Sequence, residues 1–177
     1  MIFSNLSILI RQSTGPMDQK QEFIHIIQEN EGLIYKIAKT YTDSRPDEQD
    51  LYQEIVYQLW KSFPFFRHES KISTWMYRIG LNVSIGWLNK EKRKGPLLTI
   101  PEEAYHRAEE QTNAKEEQME ILYTYIKKLN TVDKGIILLY LEGKNHEEIA
   151  AITGFSITNI GTRLGRIRQK LSSQINQ

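Results

Sequence analysis

Hydrophobic side chains recur at three- and four-residue steps along most of the chain, which is the period of an amphipathic helix. One stripe runs from Phe23 to Tyr41 and a second runs from Leu51 to Trp60. Between them lies a turn-forming stretch that ends at Pro46, a residue that suits the start of a helix. The sequence has no strand-like alternation of period two, so the chain is predicted to be all-α.

The second half of the N-terminal segment predicts a loop and a third helix. Residues 65–71 indicate the loop, and Ser73 or Thr74 can cap a helix that runs from Trp75 to about Arg93. A Gly-Pro pair follows at 95–96 and ends the helical pattern.

Residues 95–118 differ in composition from the rest of the chain. They carry a local net charge of −4 and few apolar side chains, which is typical of a solvated linker. The pattern predicts two small helical modules, 17–94 and 119–177, joined by a flexible linker at 95–118. Residues 1–16 are interpreted as a disordered leader or tag.

The C-terminal module contains the pattern of a helix-turn-helix. Helices are predicted at about 146–153 and 157–175, with Ala150 where they cross, Gly154 in the turn and Ser156 as the N-cap of the second helix. The second helix has a buried stripe at steps of four, three and four: Ile160, Leu164, Ile167 and Leu171. Its opposite face carries hydroxyl, amide and guanidinium groups, which suit base edges and phosphates. This segment is therefore predicted to bind DNA.

Two surfaces of the N-terminal module are candidates for binding. The helix at 47–60 has one acidic and amide-bearing face, which suits docking to a basic partner. The segment 63–94 mixes aromatic rings with basic and amide groups, a combination that suits unstacked single-stranded DNA. Within it, the loop 65–73 and the helix face with Arg78 and Asn82 are the better candidates for contact, because most of the aromatic rings are expected in the core.

Composition narrows the function classes further. The net charge is only +1, which excludes coating of nucleic acid by bulk charge. The chain has no cysteine, so thiol nucleophiles and cysteine-based metal sites are excluded. No apolar run reaches the length of a membrane span, and residues 1–10 lack the features of a signal peptide. We expect a cytoplasmic protein that is not inserted in a membrane.

Taken in order, these motifs resemble the extracytoplasmic-function (ECF) sigma factors of the sigma-70 family. Asp-Leu-Tyr-Gln-Glu-Ile-Val at 50–56 with Leu-Trp at 59–60 is similar to one family helix, and Ser-Thr-Trp-Met-Tyr-Arg-Ile-Gly-Leu-Asn at 73–82 is similar to another. The helix-turn-helix at 145–171 matches the second family domain. The resemblance covers about 17–177. The sequence departs from the family at Gly80, where alanine is usual, and at Gly86, Gly161 and Gly165.

The resemblance implies a role for each module. The first would dock on core RNA polymerase through Asp47, Asp50, Gln53, Glu54 and Gln58. The same module would melt and read the minus-ten element through Phe66, Arg67, Lys71, Ser73, Trp75, Arg78, Asn82, Asn89 and Lys90. The second would read the minus-thirty-five element as duplex through Ser156, Thr158, Asn159, Thr162, Arg163, Arg166 and Lys170.

The expected partners are core RNA polymerase, promoter DNA and an anti-sigma factor. No enzymatic activity, small-molecule substrate, cofactor or metal is expected. The near-neutral charge suits a factor that binds DNA weakly when free. We also expect the free protein to hold its modules together through the acidic linker, which would mask its basic surfaces.

Two other interpretations stay open at this stage. The chain could be a helix-turn-helix regulator that does not dock on polymerase. It could also be a di-metal helical bundle, since such sites use Glu-x-x-His pairs, and Glu22/His25 and Glu103/His106 have that spacing. The segment His146-Glu147-Glu148 begins like a zinc-protease motif, but Ala150 stands where the second histidine is needed.

Overall fold

The computed structural model describes residues 17–94 and 114–175, which form eight α-helices and one short 3-10 turn. The N-terminal module contains α1 (Met17–Glu29), α2 (Glu31–Tyr41), α3 (Arg45–Ser62), the 3-10 turn Phe63–Phe65 and α4 (Ile72–Lys94). The C-terminal module contains α5 (Ala114–Lys127), α6 (Thr131–Leu141), α7 (His146–Thr153) and α8 (Ile157–Ile175). The prediction of an all-α chain is confirmed for the described residues.

Side-chain caps fix most of the helix starts that local sequence predicts. The Ser44 hydroxyl accepts a hydrogen bond from the backbone N–H of Asp47 at the start of α3, and Pro46 lies in the first turn. Asn130 caps α6 in the same way. Asn145 and Glu148 form a reciprocal capping box at α7.

Three helix boundaries differ from the prediction. The first stripe is two helices, because the chain turns at Asn30, whose side-chain amide donates to the carbonyl of Ile26 at 2.8 Å. Helix α4 begins at Ile72, where the Trp75 N–H already donates to the Lys71 carbonyl. Helix α5 begins at Ala114, inside the range expected for the linker, in a run of good helix formers. The leader at 1–16 and residues 95–113 of the linker lie outside the described residues.

The buried stripes of both modules join in one continuous hydrophobic core. In the N-terminal module, α1 to α4 bury the large side chains Phe23, Ile34, Ile37, Leu51, Ile55, Leu59 and Met76. In the C-terminal module, α5 to α8 bury Ile126, Ile136, Leu138, Ile149, Ile160, Leu164 and Ile167. Burial of these groups from water is the main driving force for folding. The buried stripe predicted for α8 is confirmed.

Gly80 departs from the family pattern for a packing reason. A Cβ atom at this position of α4 would lie 2.7 Å from Cδ1 of Ile37 and 3.6 Å from Cγ2 of Ile55. Glycine therefore gives the isoleucine of α2 the space to pack directly on the α4 backbone.

The turn of the helix-turn-helix needs glycine at Gly154. This residue has φ +79°, and its N–H donates to the Ala150 carbonyl at 2.8 Å.

We expect Gly154→Ala to lower the free energy of unfolding by about 1 kcal/mol, because an alanine is strained at positive φ. Gly165→Ala in α8 should raise it by up to about 1 kcal/mol, because the new methyl group meets no atom within 4 Å and favours the helix. Urea unfolding followed by circular dichroism measures both changes, and a shift of the same sign in both variants would contradict this account of the turn.

The two modules also contact each other. Helix α6 packs against α2 and α4, and α7 packs against α4. The expectation that the modules are held together therefore has a structural basis in helix-to-helix contacts. The part expected of the acidic linker falls on residues 95–113, which lie outside the described residues.

Candidate nucleic-acid and polymerase interfaces

The acidic face of the N-terminal module lies on α3 and borders a groove. Asp50, Gln53 and Glu54 line this groove of about 340 Å³, together with two aromatic side chains, Tyr57 and Trp87. The tyrosine is 39% exposed, although it is large and partly apolar. Carboxylates beside aromatic faces are complementary to guanidinium and ammonium groups. The groove can therefore bind a basic surface.

The other two residues of the predicted docking set have local roles as well. The Asp47 carboxylate accepts a hydrogen bond from the Ser44 hydroxyl at 2.7 Å, so it helps to fix the start of α3. The Gln58 amide donates to the Glu54 carboxylate at 2.8 Å and orients it along the helix. Tyr57 and Trp87 were not among the residues predicted to dock on polymerase. The tyrosine could have been found from its position three residues after Glu54, whereas Trp87 reaches the groove only through the packing of α4 on α3.

The aromatic rings around the loop are mostly packed. The ring centroid of Phe66 lies 4.9 Å from that of Trp75 and 4.5 Å from that of His68. The side chains of Phe66 and Trp75 are half-buried. Phe63 is buried under them. By contrast, Phe65 is 81% exposed. It belongs to the loop 65–73 that was predicted to make contact, although it was not among the individually named contact residues. Of the aromatic side chains in this loop, Phe65 therefore offers the most open surface for stacking a base.

The polar residues predicted to contact the minus-ten strand follow the loop and one face of α4. Arg67 and Lys71 are exposed in the loop, while Ser73 is half-buried. Among the predicted contact residues on α4, Arg78, Asn82, Asn89 and Lys90 are exposed. The Arg78 guanidinium donates to the backbone carbonyl of Ala151 at 2.6 Å. The Lys71 ammonium lies 3.8 Å from the Glu148 carboxylate. The structure thus brings the loop and the α4 face together, and two of their cations contact the C-terminal module.

Helix α8 presents nearly all of the residues predicted to read duplex DNA. The Ser156 hydroxyl accepts a hydrogen bond from the Asn159 N–H at 3.3 Å and caps the helix. The predicted contact residues that lie exposed are Ser156, Thr158, Asn159, Thr162, Arg166 and Lys170. The Thr162 hydroxyl donates to the Thr158 carbonyl, which leaves its oxygen as an acceptor.

Arg163 differs from the other residues of this set. Its guanidinium donates to Asn159 and to the Asp133 carboxylate, both at 2.8 Å, and lies over the ring of Phe155. These contacts hold it against the module and orient the Asn159 amide. In this structure Arg163 is therefore placed to orient Asn159, a neighbouring residue of the predicted contact set. The ion pair spans 30 residues of sequence, so helical periodicity could not identify it.

The capping box of α7 adds a fixed negative charge beside these helices. The Asn145 N–H donates to the Glu148 carboxylate, which lowers the pKa of that carboxyl group, and the nearby Lys144 and Lys71 add to the effect. Glu148 is therefore ionised at neutral pH.

The described residues give the di-metal interpretation no support. Glu22 and His25 are exposed on α1, where His25 pairs with Glu29 at 3.3 Å, and Glu103 and His106 lie outside the described residues. Within the ranges 17–94 and 114–175, three or more metal-binding side chains do not come together. In those same ranges, each helix is too short or too polar to cross a membrane.

Comparison with known proteins agrees with this division into two modules. Residues 26–94 match the family sigma-70 region 2, and residues 119–171 match sigma-70 region 4. The chain is 27% identical to the RNA polymerase sigma factor SigV of Bacillus subtilis, with 90% of this chain and 88% of that protein covered. It is 24% identical to the ECF RNA polymerase sigma-E factor of Haemophilus influenzae, with 88% of each protein covered.

A solved structure has the same fold. The sigma factor RpoE, in complex with the anti-sigma factor NepR from Bartonella quintana, superimposes with a TM-score of 0.71 at 20% identity, covering 88% of this chain and 98% of that chain. The two family matches together span more than half of the residues, in the order that the sequence motifs predict. This protein therefore belongs to the sigma-70 family and, within it, to the ECF sigma factors.

Proposed function

We propose that this protein binds core RNA polymerase and directs it to start transcription at specific promoters. The observation that carries the proposal is the match of residues 26–94 to sigma-70 region 2, because a helix-turn-helix regulator without polymerase docking has no need of that module. The C-terminal match to region 4 supplies a duplex-binding helix-turn-helix on the same chain.

The proposed division of labour assigns each interface to one partner. The groove lined by Asp50, Glu54 and Trp87 docks on polymerase. The loop 65–73 and the exposed face of α4 hold the melted minus-ten strand, and the exposed face of α8 reads the minus-thirty-five duplex. The acidic docking face and the basic α8 face differ in charge, which favours different partners for the two.

The protein acts as a dissociable factor and catalyses no reaction of its own. Since core polymerase and promoter DNA are its binding partners, it works in the cytoplasm. An anti-sigma factor is a further proposed partner, because the fold is shared with a sigma factor that was solved in complex with one.

Binding of the fluorescently labelled chain to sigma-free bacterial core polymerase tests this proposal. We expect saturable binding that is lost when the polymerase already carries another sigma factor, because the two would compete for one docking site. If the chain bound duplex DNA but not core polymerase, the regulator interpretation would replace ours.

A further inference from the structure

The exposed face of α8 contains one amide group whose orientation is fixed by contacts within its own module. We propose that Asp133 and Arg163 hold the Asn159 side chain with its N–H groups outward. Helix α8 then selects a base with a hydrogen-bond acceptor, and rejects cytosine, at the position that Asn159 contacts. The inference rests on the proposed function, because it assumes that this face of α8 meets duplex DNA.

The fixed group is the carboxamide of Asn159. Its oxygen Oδ1 accepts a hydrogen bond from the Nε–H of Arg163 at 2.8 Å. A guanidinium group has only donors, so it pairs with the oxygen of an amide and not with its nitrogen. The amide nitrogen and its two hydrogens therefore lie on the side away from Arg163. A flip of the amide would place donor against donor and lose the hydrogen bond.

Asn159 occupies the part of α8 that suits contact with bases. It is exposed in the first turn of the helix, where its backbone N–H donates to the Ser156 hydroxyl at 3.3 Å. In a helix-turn-helix, the N-terminal residues of the second helix reach the base edges in the major groove. The outward N–H groups of Asn159 are therefore available to a base.

The Arg163 guanidinium is fixed by two further contacts. Its Nη1 group donates to the Asp133 carboxylate at 2.8 Å, and its Cζ atom lies 5.1 Å from the centre of the Phe155 ring. The side chains of Arg163 and Asp133 are only 32% and 17% exposed. Partial shielding from water makes this ion pair stronger than a fully exposed one. Arg163 is thus a rigid support for the amide beside it.

The Asp133 carboxylate is anchored in turn at the start of α6. Its second oxygen accepts a hydrogen bond from the Asn130 amide at 2.5 Å, and its backbone N–H donates to the Asn130 side-chain oxygen at 2.9 Å. The hydrogen bonds therefore form one series from the cap of α6, through Asp133 and Arg163, to the Asn159 amide. The whole series lies within the C-terminal module.

An outward N–H group discriminates between base edges in the major groove. Guanine offers two acceptors there, adenine offers N7 and thymine offers O4, whereas cytosine offers only its amino donor. A donor that faces a donor leaves both groups without a partner once water is expelled. Asn159 held in this way favours the bases with acceptors, guanine foremost. A freely flipping amide could turn its oxygen to cytosine and would lose this distinction.

Selection of duplex DNA from a random library by the full chain tests the inference. The selection is made at low salt, where phosphate contacts are strongest, and sequencing gives the base frequencies at each position of the selected sites. The site position at which Asn159→Ala removes the base preference is the one that Asn159 contacts. We expect the native chain to deplete cytosine there by roughly fivefold or more relative to guanine.

Asn159→Asp replaces the outward amino group by an oxygen of nearly the same size. Arg163 can pair with one carboxylate oxygen while the other faces the base, so cytosine should become the preferred base at this position. Gln169→Glu is the matched control, since it converts an amide into a carboxylate nearer the end of α8 and should leave this preference unchanged. Both residues are exposed, so both variants should fold.

Arg163→Ala distinguishes a positioning residue from one that reads a base itself. It releases the Asn159 amide, so the frequency of cytosine should rise at the Asn159 position while other positions keep their preferences. Asp133→Asn should act in the same direction, because Arg163 loses its charged partner. In the Asn159→Ala background, Arg163→Ala should change nothing further at that position.

Several outcomes would overturn the inference. One is a native chain that enriches no sequence, or that accepts cytosine as readily as guanine at the Asn159 position. Another is an Asn159→Asp variant with the native preference. A third is an Arg163→Ala variant that loses its preference only at a different position, because Arg163 would then read a base itself. None of these selections uses polymerase, so their failure is distinguishable from failure to dock on it.

Discussion

Replacing Asp50 and Glu54 together by alanine is expected to weaken binding to core polymerase by about 10- to 100-fold. Both carboxylates line the docking groove, and Gln58 orients one of them. Removing them leaves the basic groups of the partner without their counter-charges when the interface closes. The measurement is a titration of labelled chain with sigma-free core polymerase.

The double substitution Glu22→Ala/Glu29→Ala is the matched control. It removes the same two negative charges from exposed positions of α1, outside the groove. We expect nearly native affinity in the control. Equal losses in the two double variants would mean that polymerase responds to net charge and that the groove is not the docking site.

Replacing Arg166 by alanine should weaken promoter binding by the reconstituted holoenzyme about 5- to 150-fold, which corresponds to roughly 1–3 kcal/mol. This guanidinium is exposed on the α8 face that we assign to the minus-thirty-five duplex. Loss of one phosphate contact should also reduce the slope of log affinity against log salt by about 1. A filter-binding titration at several salt concentrations measures both quantities.

Arg168 provides the comparison, since it lies two residues further along the same helix. Its guanidinium lies over the ring of Tyr140 at 4.9 Å, so it is directed to α6. Arg168→Ala makes the same change in charge and should leave promoter affinity within about twofold of the native value. If the Arg168 variant lost more affinity than the Arg166 variant, the face of α8 that reads DNA would have to be reassigned.

Features that depend on a few neighbouring residues could be predicted from the sequence. The two helices of the helix-turn-helix have the expected bounds, His146–Thr153 and Ile157–Ile175, because capping residues, a glycine turn and helical periodicity all act within a few positions. The buried stripe of α8 follows from the same periodicity.

Features that depend on packing between distant segments could not be predicted. The carbonyl that binds Arg78 lies 73 residues away along the chain. Helical periodicity does not show why residue 135 of α6 is a glycine. A Cβ atom there would lie 2.9 Å from the hydroxyl oxygen of Tyr41 and 3.3 Å from Cδ2 of Leu81, and both residues are distant in sequence. Likewise, both Phe65 and Phe66 stand in an aromatic loop, and only the stacking of Phe66 on Trp75 shows which ring stays open.

The most direct test of the central claim is run-off transcription by core polymerase with this protein. The template is a DNA library randomised at two short elements upstream of a fixed transcribed region. We predict chain-dependent transcripts whose templates share one pair of elements, lost with Asp50→Ala/Glu54→Ala and kept with Glu22→Ala/Glu29→Ala. Transcription no greater than that of core polymerase alone, or transcripts without shared elements, would contradict the assignment as a promoter-specific initiation factor.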